Sequence, residues 1–130
     1  MATITGNLRT ILLANEDVTD IIGQRLYVLA FPADPTLPCM VYRDISGAYT
    51  LQVAQESEAD MRTRLQFDVW AETYAETQEM KEVLVPFFTG YRNKTYGILD
   101  TNIDLTFSVR DPDTGLYRYV MDVSIVHNGA

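Results

Sequence analysis

Residues 61–84 read M-R-T-R-L-Q-F-D-V-W-A-E-T-Y-A-E-T-Q-E-M-K-E-V-L, and the hydrophobic period changes once within them. Over residues 61–71 apolar and polar side chains alternate, which predicts a half-buried strand. Thr73 and Glu76 then have the T-x-x-E spacing of a capping box, a motif that starts a helix. The residues that continue at helical spacing are Thr77, Met80, Leu84, Phe87 and Phe88. A long amphipathic strand therefore runs directly into a helix.

The second face of this predicted strand carries side chains that suit a protein interface. Its residues are Arg62, Arg64, Gln66, Asp68 and Trp70. Arg and Trp are enriched at the cores of protein interfaces, where carboxylates and amides fix the register. The alternative is that these side chains pack beneath a helix or loop of the same chain. The face therefore predicts either an assembly contact or an internal one.

Composition and charge indicate one acidic domain. The chain has 130 residues, of which 47% are apolar, so we expect a single domain spanning residues 1–130. The net charge of −8 disfavours binding to nucleic-acid backbones and to anionic membranes. It also argues against a stacking platform for single-stranded nucleic acid at Arg62, Arg64 and Trp70.

The N-terminal sequence and the cysteine count indicate the compartment. Residues 1–13 lack the basic region and apolar run of a signal peptide, and the apolar stretches are far shorter than the ~20 residues that span a bilayer. The single Cys39 excludes an intramolecular disulfide. We therefore expect the chain to fold in a reducing, aqueous compartment.

The first third of the chain predicts two helices and two strands. Apolar spacing predicts a helix over residues 4–14 and a short one over residues 16–22, with Asn15 as the N-terminal cap of the second. Residues 25–31 form a nearly continuous apolar run, which is typical of a strand covered on both sides. After a proline-rich loop, residues 39–46 form the next strand, and Gly47 lets the chain turn.

Two hairpins complete the predicted sheet. In residues 48–60, Tyr49, Leu51 and Val53 alternate with polar residues, which predicts one arm of a hairpin that returns through residues 61–71 and projects from the body. The second hairpin joins two alternating segments, residues 103–110 and 117–125, through the turn D-P-D-T-G. The fold class is therefore α+β, with an antiparallel (mixed) sheet and helices packed on one face.

The sequence contains no catalytic or metal-binding set. Cys39 and His127 do not form a plausible nucleophile and base, because we expect a buried thiol and a frayed terminal histidine. The acidic residues Glu56, Glu58 and Asp60 are interpreted as a solvated loop. The D-P-D-T-G turn has Gly where a calcium loop needs its third oxygen ligand. We therefore expect no enzymatic activity, no metal and no cofactor.

An ordered set of short motifs resembles one known family. The motifs are R-L-Y-V at residues 25–28, L-P-C-M-V-Y-R-D-I-S-G at 37–47, R-L-Q-F-D-V-W-A at 64–71, T-Y-A-E at 73–76 and Y-R-Y-V-M-D-V-S-I at 117–125. Together they resemble the short tail-completion, or tail-terminator, proteins of tailed bacteriophages and gene-transfer particles. The resemblance runs from about residue 8 to residue 126. Two departures, Cys39-Met40 in place of an aromatic and Pro86 in the helix, affect packing.

The resemblance implies a structural role in the tail or neck of a virion that is assembled in the cytoplasm of a bacterial host. Such proteins form rings, typically of six copies, that cap the finished tail tube, end its polymerisation and provide the docking surface for the head connector. The implied partners are other copies of the chain, the tail tube protein and the connector or stopper proteins. Genomic DNA would pass through the lumen without specific binding, and neither a membrane nor a cofactor is involved.

We interpret a small set of residues as assembly contacts: Tyr49, Leu51, Val53, Arg62, Arg64 and Trp70. Two alternatives stay open at this point. The first is a head-completion or connector-stopper protein on the head side of the joint. The second is a small ligand-binding module whose pocket is lined by Trp70 and Tyr42.

Overall fold

A computed structural model describes residues 3–50 and 60–128, and for residues 46–50 and 60 it describes the backbone alone. The helices are α1 (Ile4–Leu13), α2 (Glu16–Ile22) and α3 (Tyr74–Phe88), with a 3₁₀ turn at Lys94–Tyr96. The strands are β1 (Leu26–Val28), β2 (Cys39–Thr50), β3 (Asp60–Ala71), β4 (Ile98–Arg110) and β5 (Tyr117–Asn128). The α+β class predicted from the sequence is confirmed.

The strands form one mixed sheet in the order β1-β2-β3-β5-β4. β1 is parallel to β2, and the remaining pairs are antiparallel. β2 and β3 pair in antiparallel fashion from Cys39 opposite Trp70 to Thr50 opposite Asp60. Most of the predicted projecting arm, residues 48–60, falls on residues 51–59, which lie outside the described residues.

Two expectations about the first strands were wrong. The apolar run of residues 25–31 forms only the short edge strand β1, and Val28 and Leu29 are 55% and 63% exposed. Among the described strands β1 has a neighbour only in β2, so it is a short edge strand and not the covered strand that was expected. Gly47 does not turn the chain, because β2 continues through it and pairs it with Thr63.

Side-chain caps start α2 and α3 where the sequence indicates. Asn15 Oδ1 accepts hydrogen bonds from the backbone N–H groups of Asp17 (2.9 Å) and Val18 (3.4 Å). Thr73 Oγ1 accepts from the Glu76 N–H at 3.2 Å and donates to Glu76 Oε1 at 3.2 Å. These bonds satisfy donors that the first helical turn leaves without an intrahelical acceptor.

The helices cover one face of the sheet, which we call the inner face. The alternation predicted for β3 is confirmed, because one set of its side chains is buried on this face: Thr63, Leu65, Phe67, Val69 and Ala71. Phe67 lies at the centre of the core, with its ring centroid 5.0 Å from that of Phe88 in α3. The opposite face, which we call the outer face, carries the polar set of β3.

A β-bulge at Asp104 divides the apolar side chains of β4 between the two faces. Ile103 pairs with Val123 of the core, but Leu105 pairs with Asp122, so two residues of β4 span one step of β5. A bulge of this kind reverses the alternation beyond it. Leu105, Phe107 and Val109 therefore lie on the outer face, where simple alternation would have grouped them with Ile103.

Candidate assembly surface

The centre of the outer face is a buried carboxylate held by two arginines. Asp68 of β3 is fully buried, and its Oδ2 accepts hydrogen bonds from Arg118 Nη2 at 2.8 Å and Nε at 3.3 Å. Arg43 Nη2 donates to the same oxygen at 3.2 Å. Because Arg43 and Arg118 come from the strands on either side of β3, the cluster ties three strands together.

Trp70 extends this cluster toward the β1 margin of the sheet. The Arg118 guanidinium carbon lies 5.4 Å from the centroid of the Trp70 ring, within cation–π range. Phe31 meets the same indole edge-on at 5.5 Å between centroids. Trp70 therefore contacts a loop of its own chain, which is the internal alternative considered for this face, and it remains half-buried.

Beside Trp70 lies an open groove of about 200 Å³, which we call the β1 groove. Its lining residues are Leu29, Ala30, Phe31, Val41, Arg43 and Trp70. The walls are mainly apolar, and Arg43 contributes a guanidinium on a side chain that is 37% exposed. The groove is therefore suited to an apolar group flanked by an acceptor or a negative charge.

Arg64 forms a second ionic cluster further along β3. Its Nε lies 3.5 Å from Asp104 Oδ2 and its Nη2 lies 3.5 Å from Asp122 Oδ2, and the side chain is 43% exposed. Burial raises the pKa of Asp122; Arg64 opposes the rise, whereas Asp104 and Asp68 add to it. Ser124 Oγ donates to Asp104 Oδ2. The cluster joins β3, β5 and β4 on the outer face.

The predicted assembly contacts on β3, which are Arg62, Arg64 and Trp70, form a line and not one cluster. Arg64 and Trp70 are six positions apart on β3, or about 20 Å along the strand. Arg62 is exposed at the same face, where it pairs with Ala48 and Val126.

The remaining predicted contacts precede β3. The backbone of Tyr49 pairs with Met61, but its side chain lies outside the description. Leu51 and Val53 fall within residues 51–59, outside the described part of the chain.

Sequence reasoning missed an apolar row at the β4 margin. Leu105, Phe107 and Val109 are 51%, 45% and 44% exposed, and we call them the β4 row. Their cross-strand partners Asp122, Val120 and Arg118 show that the row lies on the outer face. No local signal in the sequence identifies it, because the alternation of β4 is equally compatible with an inward apolar face.

The alternative ligand pocket is not formed. Tyr42 stacks on Phe67 of the inner core at 6.0 Å between centroids, whereas Trp70 lies on the outer face. The two side chains are therefore separated by the sheet itself, and they cannot line one pocket.

The alternative nucleophile and base are far apart and each is buried. Cys39 pairs with Trp70 at one end of β3, whereas His127 pairs with Met61 at the other. Burial raises the pKa of the Cys39 thiol to about 11, so it is protonated at neutral pH. The expectation of a frayed His127 was wrong, because it is 1% exposed and its Nε2 lies 2.9 Å from Thr63 Oγ1.

Within residues 3–50 and 60–128, no group of three or more His, Cys, Asp or Glu side chains is arranged to hold a metal ion. No helix in these same stretches has the length and apolar character required to cross a membrane.

Comparison with known proteins places the chain in the class of tail completion proteins. The model of the family described as "Tail completion protein gp17" matches residues 6–128, so the chain belongs to that family. The family resemblance found in the motifs is thereby confirmed.

The fold also matches a solved structure. A chain of the structure titled "Virion of native gene transfer agent (GTA) particle" superimposes with a TM-score of 0.69, covering 99% of this chain and 100% of that one. At 12% sequence identity this likeness shows the fold alone. No curated protein matches the chain.

Proposed function

We propose that this chain is the subunit of a ring, of about six copies, that caps the finished tail tube of a phage-type particle. The ring ends polymerisation of the tube and provides the docking surface for the head connector. The observation that carries the proposal is the outer face of the sheet. It combines exposed apolar groups at both margins with ionic clusters between them, and an assembly subunit needs such a surface to bind its neighbours.

The family and the fold match support the setting of this proposal. A tail completion protein acts where the tail is finished, and a chain of the same fold is part of a gene transfer agent virion. The partners we propose are further copies of the chain, the tail tube protein and the connector or stopper proteins. The subunits would assemble in the cytoplasm of the bacterial host and remain in the tail or neck of the virion.

We propose the exposed residues of the outer face as assembly contacts. Arg62 is exposed and Arg64 is 43% exposed, so both are accessible to a neighbouring protein. Trp70 is half-buried by Phe31 and contributes through the remaining half of its ring. Tyr49, Leu51 and Val53 are proposed as contacts from the sequence pattern alone.

The net charge of the chain suits a ring around DNA. With 18 acidic and 10 basic side chains, each subunit repels the phosphate backbone on average. We propose that genomic DNA therefore passes through the lumen without specific binding. A structure of the ring with a lumen lined by Lys and Arg would contradict this part of the proposal.

Particles made without the chain test the proposed role. Loss of a tail terminator leaves tails that are overlong or irregular in electron micrographs, because nothing stops the tube. Loss of a head-side stopper would instead leave tails of normal length beside heads that have released their DNA. Normal, joined particles from the deletion strain would contradict both assignments. Re-expression of the full chain is the control, and it should restore normal tail length.

A further inference from the structure

We propose that the β4 row of one subunit binds in the β1 groove of the next subunit, so that one head-to-tail contact repeats around the ring. The inference rests on the proposed function, because it requires the chain to meet further copies of itself. Beyond that function, the inference identifies the two surfaces in contact and states that the contact is head-to-tail.

The positions of the two surfaces suit a head-to-tail contact. The β4 row lies on one edge strand, and the β1 groove lies beside the opposite edge strand. Neighbouring strands are about 4.8 Å apart, so the two edges of this sheet are about 19 Å apart. A closed ring requires two different and complementary patches on each subunit, whereas a two-fold dimer uses one patch twice. The outer face has two.

The size and chemistry of the groove fit the central residue of the row. An apolar cavity of about 150 Å³ is large enough to bind benzene, and the β1 groove has about 200 Å³ between Leu29, Phe31 and Trp70. Phe107 is 45% exposed and lies between Leu105 and Val109, so its ring is free to enter such a groove. Burial of these apolar groups would remove them from water.

The acidic end of the β4 row is opposite in charge to the β1 groove. Asp104 directly precedes the row and Arg110 directly follows it, whereas Arg43 lines the β1 groove. The Arg43 side chain is 37% exposed, and among the described residues its guanidinium binds Asp68 through Nη2. A carboxylate of the next subunit would therefore meet a guanidinium that still has a donor available.

The exposed edge strand β4 also requires protection from unspecific pairing. β4 is a 13-residue edge strand with exposed apolar side chains, and native proteins protect such edges from unspecific pairing. Within residues 3–50 and 60–128, no other strand pairs with its free side. A neighbouring subunit seated on the row provides this protection in the assembled ring.

Cysteine cross-linking in assembled particles tests the contact. The double variant Leu29→Cys/Phe107→Cys is expressed in a strain that lacks the native chain, and purified particles are treated with a short bismaleimide. Cys39 is fully buried, so the native thiol contributes little background. We expect a ladder of covalent oligomers on a denaturing gel that ends at the ring size. Wild-type particles, and particles with either single cysteine, should give monomers.

A matched variant controls for exposure alone. In Leu29→Cys/Leu99→Cys the second thiol lies on β4, as it does in Phe107→Cys. Leu99 is 38% exposed but lies outside the β4 row. This variant should give at least tenfold less cross-linked product than Leu29→Cys/Phe107→Cys.

Three outcomes overturn the contact. The first is a gel that shows only monomers of the double variant, although mass spectrometry detects the chain in the particles. The second is dimers from Phe107→Cys alone, which would indicate that the rows of two copies meet each other. The third is equal ladders from the two double variants. Absence of the wild-type chain from normal particles would instead overturn the proposed function, and the contact with it.

Discussion

Asp68 Oδ2 lies 2.8 Å from Arg118 Nη2, although the two residues are 50 positions apart in sequence. Asp68 is fully buried and its second arginine, Arg43, approaches from the other side at 3.2 Å. A buried carboxylate requires such partners, because removal of a charge from water is costly unless the charge is paired. The ionic cluster is therefore part of how the outer face folds, in addition to any role in assembly.

Replacement of Asp68 with Asn should destabilise the monomer. The amide has the shape of the carboxylate, but it leaves Arg43 and Arg118 close together without a neutralising charge. Breaking a buried pair costs about 3–5 kcal/mol, and the partial exposure of both arginines places this variant near 3 kcal/mol. Urea unfolding measures the loss. Glu79→Gln, at an exposed position of α3, should change stability by less than about 0.5 kcal/mol.

Glu79→Gln controls for the change in net charge that Asp68→Asn introduces. Both variants remove one negative charge, so a difference between them reports the buried pairing and not the net charge. Equal urea midpoints for Asp68→Asn and the wild-type protein would contradict a stabilising role for the cluster.

Replacement of Arg64 with Glu should leave the monomer folded but abolish the joining of heads to tails. The arginine is 43% exposed, and the new carboxylate would face Asp104 and Asp122 as well as the neighbouring protein. We expect a loss of infectious or transducing particles of at least a hundredfold in a complementation assay. Arg64→Lys keeps the positive charge and should retain most of the titre.

A second charge reversal controls for the change in net charge. Arg92 is exposed in the segment after α3, so Arg92→Glu alters the net charge equally without touching the outer-face clusters. This variant should join heads and tails normally. A normal titre from Arg64→Glu would show that Arg64 is not an assembly contact.

Acidification should weaken the fold through His127. Burial lowers the pKa of His127 below its ordinary value of 6.5, so the unfolded chain binds this proton more readily than the folded one. Stability is therefore lost as the pH falls through 6.5 toward the folded-state pKa. Urea midpoints between pH 7.5 and pH 5 measure this loss, and His127→Gln should show a smaller decrease.

Asp122 has the opposite pH dependence. Its pKa is raised above 3.8, so the folded chain holds this proton more tightly and its contribution to stability declines as the pH rises. Measurements with Asp122→Asn as a second background separate the two groups. If the stability of His127→Gln depends on pH as that of the wild-type protein does, the loss on acidification is not due to His127.

Replacement of Gly97 with Ala should destabilise the chain more than the same change at Gly90. Gly97 has φ = +72°, and a Cβ atom there would lie 3.0 Å from the backbone oxygen of Asn128. Gly90 also has a positive φ of +65°, but a Cβ atom there meets nothing within 4 Å. Both variants therefore carry about 1 kcal/mol of backbone strain, and only Gly97→Ala adds a steric clash. Thermal unfolding should rank them in this order, and the reverse order would contradict the close approach.

Local patterns predicted much of the fold correctly. The change of period at Thr73 located both β3 and α3, and the cap residues Asn15 and Thr73 each bind the N–H groups expected of them. These features depend on hydrogen bonds and side-chain spacing within a few residues, which the sequence displays directly. The apolar run of residues 25–31 was misinterpreted, because burial of the two faces of a strand depends on which elements pack against them in the tertiary structure.

The candidate site was only partly predictable, because it depends on contacts between strands that are distant in sequence. The polar face of β3 was recognised from alternation, but the burial of Asp68 depends on Arg43 and Arg118, which come from strands far away in sequence. The β4 row was missed because a single extra residue, Asp104, reverses the faces of β4. A bulge is selected by the pairing of two strands, so neither strand reveals it alone.

The sequence by itself determined the α+β class, the helices, the strand β3 that leads into α3, the D-P-D-T-G turn and the family to which the chain belongs. It could do so because periodicity, caps and ordered motifs are properties of neighbouring residues. Only the tertiary structure decided which side chains share the outer face: Trp70 with Phe31, Asp68 with its two arginines, and Phe107 exposed at the far margin. These relationships arise from strand register and from a bulge, and both are set by contacts between segments that are distant in the chain.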